Sequence, residues 1–466
     1  MISFRIRNNT FLRIVVFITL ISIFIAAGFI TGFRIKFFSE IFSIIIFTCA
    51  YLLTPSIKVD TINLVSPRNL MLLIFFTRLV ICPLTIMLFG YQPWVLPELP
   101  DQKLIFKASL ISFIAFLSFV TGWDLVRHTG NSILEEKKVK FRFRNNGLIA
   151  LGLLIVLLIF IRFYYGSFKY YFHTLFMEDY FGVQEEMGRL WIYSNILFKY
   201  VIPFFGIILG IYALEKIKTG IWGKALIAFI FILLIVFLSL GPSRNNIVFP
   251  VLAFLAAVIP RYFRIRFRDF ILGCIGFIVL AFFFQNLRKR SNEAIMTELN
   301  TGEKFIEFIQ VYFVAPHIMT PMFRIEEKFN DVPFTIHSSF LETVPVLGAP
   351  FRDKSGSYYY NAGYDREGAR DQVFPTYGEL VMNLGYIGMI IVFMLTGYFY
   401  RKIDIFFRRK TPGDPLFRAI IFYFTLLYNA LIFLSYSVFG QFIFYNSVLV
   451  FFVMLLRDRP VHESNI

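Results

Sequence analysis

The chain has 466 residues, of which 58% are hydrophobic and only 16% charged, and its mean hydropathy is +0.69. A soluble domain is nearer a quarter charged, so this balance excludes an ordinary soluble enzyme. It points instead to an all-α polytopic membrane protein, because many apolar runs reach the roughly 18–20 residues that cross a bilayer as a helix.

The first apolar run, Phe11 to Ile30, is long and lacks a small-residue cleavage site, so it reads as a signal anchor rather than a removable leader. In chain order, twelve spans are predicted: 11–31, 37–54, 69–90, 104–126, 147–165, 192–214, 222–240, 246–260, 270–287, 379–400, 416–434 and 437–456. Basic segments recur between them. Arg5 and Arg7 precede the first, "EEKKVKFRFR" follows the fourth, "RYFRIRFR" the eighth, "RKIDIFFRRK" the tenth and "RDR" the twelfth. An even number of spans separates these segments, so all fall on one side. Short basic loops face the cytoplasm, which puts both termini inside. The net charge of +16 is then largely a topology signal, and no nucleic-acid partner is expected.

Three regions follow: a membrane domain of spans one to nine (1–287), an extracytoplasmic loop with short helices (288–378), and a membrane domain of spans ten to twelve (379–466). The large loop carries ten Lys/Arg and twelve Asp/Glu, unlike the basic interior segments. Within it, "FIQVYFVAPHIMTPMF" is apolar but broken by Pro316 and Pro321, as an interfacial or re-entrant helix is. "IHSSFLETVPVL" reads as a short helix, and "FRDKSGSYYYNAGYDREGARDQ" as a polar loop facing water or a ligand.

The three cysteines, Cys49, Cys82 and Cys274, all lie in apolar runs and suggest neither a disulfide framework nor a zinc site. Without C-x-x-C, H-E-x-x-H or G-x-x-x-x-G-K-[ST], no metal and no cofactor is expected. The candidate chemistry lies in exterior arginines: Arg244, Arg288, Arg290, Arg324, Arg352, Arg366 and Arg370. Guanidinium groups bind phosphate bidentately and stay charged at every working pH. A ring of them at the outer surface suits a pyrophosphate whose lipid tail stays in the bilayer; the alternative is ordinary solvated arginines. Arg244 stands out, since it sits in the short turn "GPSRNN" before a helix start, and helix N-termini attract anions.

His337 is a candidate general base, a role histidine often takes; the alternative is an ordinary loop histidine. Glu379, heading "GELVMNLGYIGMIIVFMLTGYFY", can orient an arginine, accept a proton, or simply complement the helix dipole. Asn383, one turn on, shares its face. Gly385, Gly388 and Gly397 permit close helix contact. Tyr358 and its neighbours in "SYYYNAGY" suit either sugar stacking or an interfacial tyrosine belt.

Three stretches carry a family resemblance. "LGPSRNNIVFPVL" resembles the Ser-Arg turn of the bacterial O-antigen polymerases, the oligosaccharide repeat-unit polymerases of the Wzy-dependent pathway. "FPTYGELVMNLGYIGMIIVFMLTGYFY" resembles that family's Gly-Glu, Asn-x-Gly-x-x-Gly stretch, with Asn-Leu-Gly where Asn-Phe-Gly is commoner. "FLETVPVLGAPFRDKSG" resembles the segment before it, and Arg352 with Gly363 matches an Arg-x10-Gly pattern. The local motifs span about residues 238–250 and 333–400.

The resemblance implies a metal-independent glycosyltransferase in the bacterial cytoplasmic membrane. Its donor would be a glycan on undecaprenyl pyrophosphate and its acceptor a repeat unit on the same carrier. Arg244 would be a pyrophosphate clamp, and a base, if one is needed, would be His337, Glu342 or Glu379. A chain-length regulator and a flippase would be partners. Two related readings share these features: an O-antigen ligase acting on lipid A core, which differs in acceptor, and a flippase or transporter. Against the last stand the absence of an internal repeat and the clustering of charge at the outer face rather than mid-membrane.

Overall fold

The computed structural model describes residues 8–32, 35–61, 63–90, 101–126, 189–238, 245–263, 316–325, 331–344, 348–362, 374–410, 414–433 and 435–440, with isolated positions elsewhere. Among the described residues every regular element is helical. Four helices are long and apolar enough to cross a membrane: Phe11–Thr31, Pro67–Phe89, Gln102–Leu125 and Thr376–Arg408. Phe38–Leu53, Ile221–Val236 and Val248–Tyr262 are shorter and equally apolar. The protein is therefore helical and membrane-embedded. Predicted spans five and nine, apart from isolated positions, and most of span twelve lie outside the described residues.

The first half builds around one central helix. Helix α1 (Asn8–Thr31) exposes Phe11, Ile18, Phe29 and Ile30 but inserts Phe24 fully. The Phe24 ring meets Phe38 and Phe42 of α2 (Phe38–Leu53) and Phe106 and Phe113 of α5 (Gln102–Leu125) at centroid distances of 5.0, 4.6, 4.4 and 5.2 Å. Lipid is as apolar as these rings, so they hold the helices by close packing rather than by escape from water. Helix α3 (Pro67–Phe76) starts where its sequence says it should. Ser66 accepts from the Asn69 amide and Pro67 occupies the first helical position.

A π turn (Thr77–Ile81) joins α3 to α4 (Cys82–Phe89). Pro83 has no N–H to offer the carbonyl four residues back. That carbonyl, of Leu79, instead accepts from Ser43 Oγ of α2 at 2.9 Å. A neighbouring helix thus satisfies the backbone where water is absent.

Helix α5 (Gln102–Leu125), capped by the Asp101 side chain, is the central helix. Helices α6 (Arg189–Lys216), α7 (Ile221–Leu238), α8 (Asn245–Tyr262) and α12 (Pro415–Phe433) form a second apolar cluster. It contains Phe204, Ile207, Phe254, Leu416 and Tyr423. Two short helices lie between: α9 (Ile336–Leu341) and α10 (Gly356–Ala362).

Helix α11 (Thr376–Lys410) is the longest of the described helices. Of the three glycines expected at helix contacts, only Gly397 plays that part. A Cβ there would collide with the Phe119 carbonyl of α5, and one on Gly122 of α5 would collide with the Met394 carbonyl of α11. The two backbones therefore meet glycine to carbonyl in both directions. Gly385 does something else: at φ 66°, ψ −176° it breaks the helix in a conformation only glycine adopts readily. A Cβ on Gly388 meets Leu384 of its own helix. Past residue 400, the basic stretch "RKIDIFFRRK" continues as helix, with Arg401 and Asp404 buried.

Candidate functional site

The first turns of α11 grip the segment that carries α9 and α10. Glu379 is 1% exposed. Its Oε1 accepts from Thr335 Oγ1 at 2.8 Å and from Ser339 Oγ at 2.6 Å. Ser339 Oγ in turn accepts from the Gly356 amide at 2.7 Å. One turn on, Asn383 Oδ1 accepts from the Thr335 amide at 2.5 Å. Its Nδ2 donates to Thr335 Oγ1 at 2.9 Å and to the Glu379 carbonyl at 2.7 Å.

Every donor here has an acceptor, and each hydroxyl both donates and accepts, so the bonds polarise one another. Gly356 is required by the same packing, because a Cβ there would strike the Glu379 carboxylate. Glu379 and Asn383 do share a face, as their spacing predicts. That face is turned inward, onto protein. Glu379 is thus a positioning residue that docks α9 and α10 onto α11.

The docked unit presents a different set outward. His337 and Arg352 are exposed. The imidazole stacks on Phe334, itself 47% exposed, at 5.9 Å and 13° between planes, and meets Phe351 edge-on at 6.5 Å. Its Nε2 shares a hydrogen bond with Ser338 Oγ at 3.2 Å. Arg352 lies in the 3-10 turn Ala349–Lys354, next to Phe351. Glu342, closing α9, is half-buried behind it. Burial raises its pKa, against hydrogen bonds from Ser437 and Ser355 and the charge of Arg352. Tyr358 is 45% exposed and packs edge-on against Tyr359 at 5.3 Å. An imidazole, a guanidinium and a flat aromatic surface together offer proton transfer, oxyanion binding and ring stacking.

The expected ring of arginines is only partly described. Arg244, Arg288, Arg290, Arg366 and Arg370 lie outside the described residues. Arg324 ends the 3-10 segment Pro316–Arg324, which packs on α5, whereas Arg352 belongs to the α9–α10 unit. Sequence reasoning missed Phe334, Phe351, Thr335 and Ser339. The signal for the last two was present: Thr335 and Ser339 are four residues apart, so one face of a short helix carries hydroxyls inside an otherwise apolar stretch. Among the described residues no group of three His, Cys, Asp or Glu side chains could hold a metal ion. Compared with protein-family models, curated proteins and solved structures, the chain finds no match in any of the three.

Proposed function

We propose that the chain polymerises lipid-pyrophosphate-linked oligosaccharide repeat units at the outer face of a bacterial cytoplasmic membrane. In this reading it has twelve spans, both termini in the cytoplasm and residues 288–378 outside. A hydroxyl oxygen of the acceptor sugar attacks the anomeric carbon of the donor. The bond from that carbon to pyrophosphate oxygen breaks, and the hydroxyl proton passes to a base. The leaving group departs with its negative charge, so it needs cations more than an acid. Arg244 and Arg352 are the arginines assigned to it. His337 is assigned as base ahead of Glu342 and Glu379, since it alone of the three is exposed.

The observation supporting this reading is the clamp described above. Buried Glu379 and half-buried Asn383 fix a small helical unit at one end of a membrane-length helix. That unit exposes His337, which stacks on Phe334 and meets Phe351 edge-on, and Arg352, the residue after Phe351. A lipid-linked sugar substrate needs such a place, where a polar reacting centre meets the membrane edge.

The test is deletion of the gene in its host, with gel analysis of surface glycan. Loss of the length ladder with one capped unit retained is the expected result. Loss of all capping would assign the chain to ligation or flipping instead, and an unchanged ladder would refute all three.

A further inference from the structure

The far end of α11 carries a second polar cluster unrelated to the first. Asp404, wholly buried, is surrounded by three guanidinium groups. Arg401 Nη1 donates to it at 2.8 Å, Arg408 Nε lies at 3.3 Å and Arg68 Nε at 3.7 Å. Arg408 Nη2 also reaches Asp60 Oδ2 at 3.0 Å, and Arg68 Nη1 donates to the Lys58 carbonyl at 3.2 Å. Arg13 pairs with Asp124 alongside, and Arg401 lies over the Trp123 ring at 4.9 Å. Among the described residues around Asp404 and Asp60, three cations therefore face two anions. The exposed Lys58 and Lys402 add further positive charge near by.

Two features make this more than a salt-bridge lattice. First, a surplus charge in low dielectric is costly, so a purely structural network would be expected to balance. Second, the buried nitrogens Arg68 Nε, Arg401 Nε and Arg408 Nη2 have no hydrogen-bond acceptor among the described residues. Arg68 reaches Asp404, and Arg408 Nη2 reaches Asp60, as ion pairs without hydrogen-bond geometry, while Arg408 Nε donates to Asp404 Oδ1 at 3.3 Å. Buried donors of this kind call for an explanation. Arg68 and Arg408 are also the members that open to the surface, at 11% and 24% exposure, while Arg401 is at 2%.

We infer that Arg68 and Arg408, backed by Arg401, bind a phosphate oxyanion at this surface, carried by an anionic phospholipid headgroup. The depth favours that source. Past the break at Gly385, α11 rises roughly 27 Å from Tyr386 to Asp404 at 1.5 Å per residue. That is close to the roughly 30 Å hydrocarbon thickness, so the cluster lies near headgroup level at the end of α11 away from Glu379. Guanidinium pairs take phosphate oxygens bidentately, and a bound phosphodiester would neutralise the surplus charge.

The experiment uses the full chain purified in neutral detergent. Native mass spectrometry and thermal unfolding follow addition of phosphatidylglycerol, phosphatidylcholine, inorganic phosphate or pyrophosphate. Phosphatidylglycerol is expected to remain bound and to raise the Tm, while phosphatidylcholine does neither. Arg68→Gln with Arg408→Gln should weaken phosphatidylglycerol binding at least about 10-fold. Arg68→Lys with Arg408→Lys, which keeps the charge and protects against misfolding, should weaken it less. A Tm rise from inorganic phosphate or pyrophosphate alone, lost in the Gln variant, would keep the anion site and change its source. Equal retention of both lipids, or binding unchanged in the Gln variant, would overturn the inference. None of these readouts depends on glycan polymerisation.

Discussion

Two classes of polar residue occur where the 331–362 segment meets the first turns of α11, and substitution separates them. Glu379→Ala removes the acceptor for the Thr335 and Ser339 hydroxyls, both fully buried. It should cost about 1–3 kcal/mol for the donors left unsatisfied and free the 331–362 segment for proteolysis in detergent. His337→Ala and Arg352→Ala are surface changes and should stay within about 0.5 kcal/mol in stability, yet they should shorten or abolish the glycan ladder. Stability loss in these two variants, with none in Glu379→Ala, would reverse the assignment.

Arg244→Ala should abolish chain extension while the protein still inserts, and Arg244→Lys should restore only part, since a point charge loses bidentate geometry. A full ladder from the alanine variant would remove Arg244 from the site.

Glu342 adds a pH dependence. Its folded pKa is raised, chiefly by burial, so the protonated form is favoured on folding. The resulting stability is fully present below about pH 4.3, the ordinary glutamate value, and is lost as pH rises through the raised folded pKa. Glu342→Gln, which stays neutral, should flatten that part of the Tm-against-pH curve. An unchanged slope would show the carboxyl to be ionised throughout.

Among the elements, the crossing of α5 and α11 is set by two glycines facing two carbonyls. Gly122 meets Met394 and Gly397 meets Phe119. A methyl group at either place must push a helix backbone, not a side chain, so relief by rotamer change is closed. Gly122→Ala and Gly397→Ala should each destabilise by about 1–3 kcal/mol, the usual cost of overpacking. The double variant should lose less than the sum, because the first displacement makes room for the second. Unfolding in mixed detergent measures this, and strict additivity would show that the two contacts relax separately.

The same element shows how far sequence reading reaches. Its apolar length and Gly-Glu start are legible in "GELVMNLGYIGMIIVFMLTGYFY", but the roles of its three glycines are not. Spacing alone cannot distinguish a glycine that breaks the helix, as Gly385 does, from one that meets another backbone, as Gly397 does. Likewise "RKIDIFFRRK" reads as a basic border, yet Arg401 and Asp404 are buried within the helix. Arg401 and Asp404 pair with each other, and neighbours far off in sequence, Asp60, Arg68 and Trp123, complete the cluster.

At the scale of the whole molecule, the proposed topology is testable without any substrate. Reporter fusions after residues 135 and 330 should report opposite sides of the membrane. Equal sidedness would sink the twelve-span arrangement and with it the exterior position of His337 and Arg352. The two polar ends of α11 also make separable demands. The Glu379 end is judged by glycan length and the Asp404 end by lipid retention, so loss of one readout leaves the other standing.

The sequence by itself determined that this protein is helical and membrane-embedded, because apolar run length is a local property that lipid thickness reads directly. It also determined where many helices begin, since Ser66, Asp101 and Asp414 cap their own chains within three residues. What only the tertiary structure decided is which polar groups face each other. Glu379 with Thr335 and Ser339, Ser43 with Leu79, and Asp404 with Arg68 join positions 36 to 336 residues apart. In an apolar medium each such group must find a partner, but the sequence states only the need. The partner is fixed by how the helices cross, and that crossing rests on backbone contacts at Gly122 and Gly397 that leave no periodic trace in the chain.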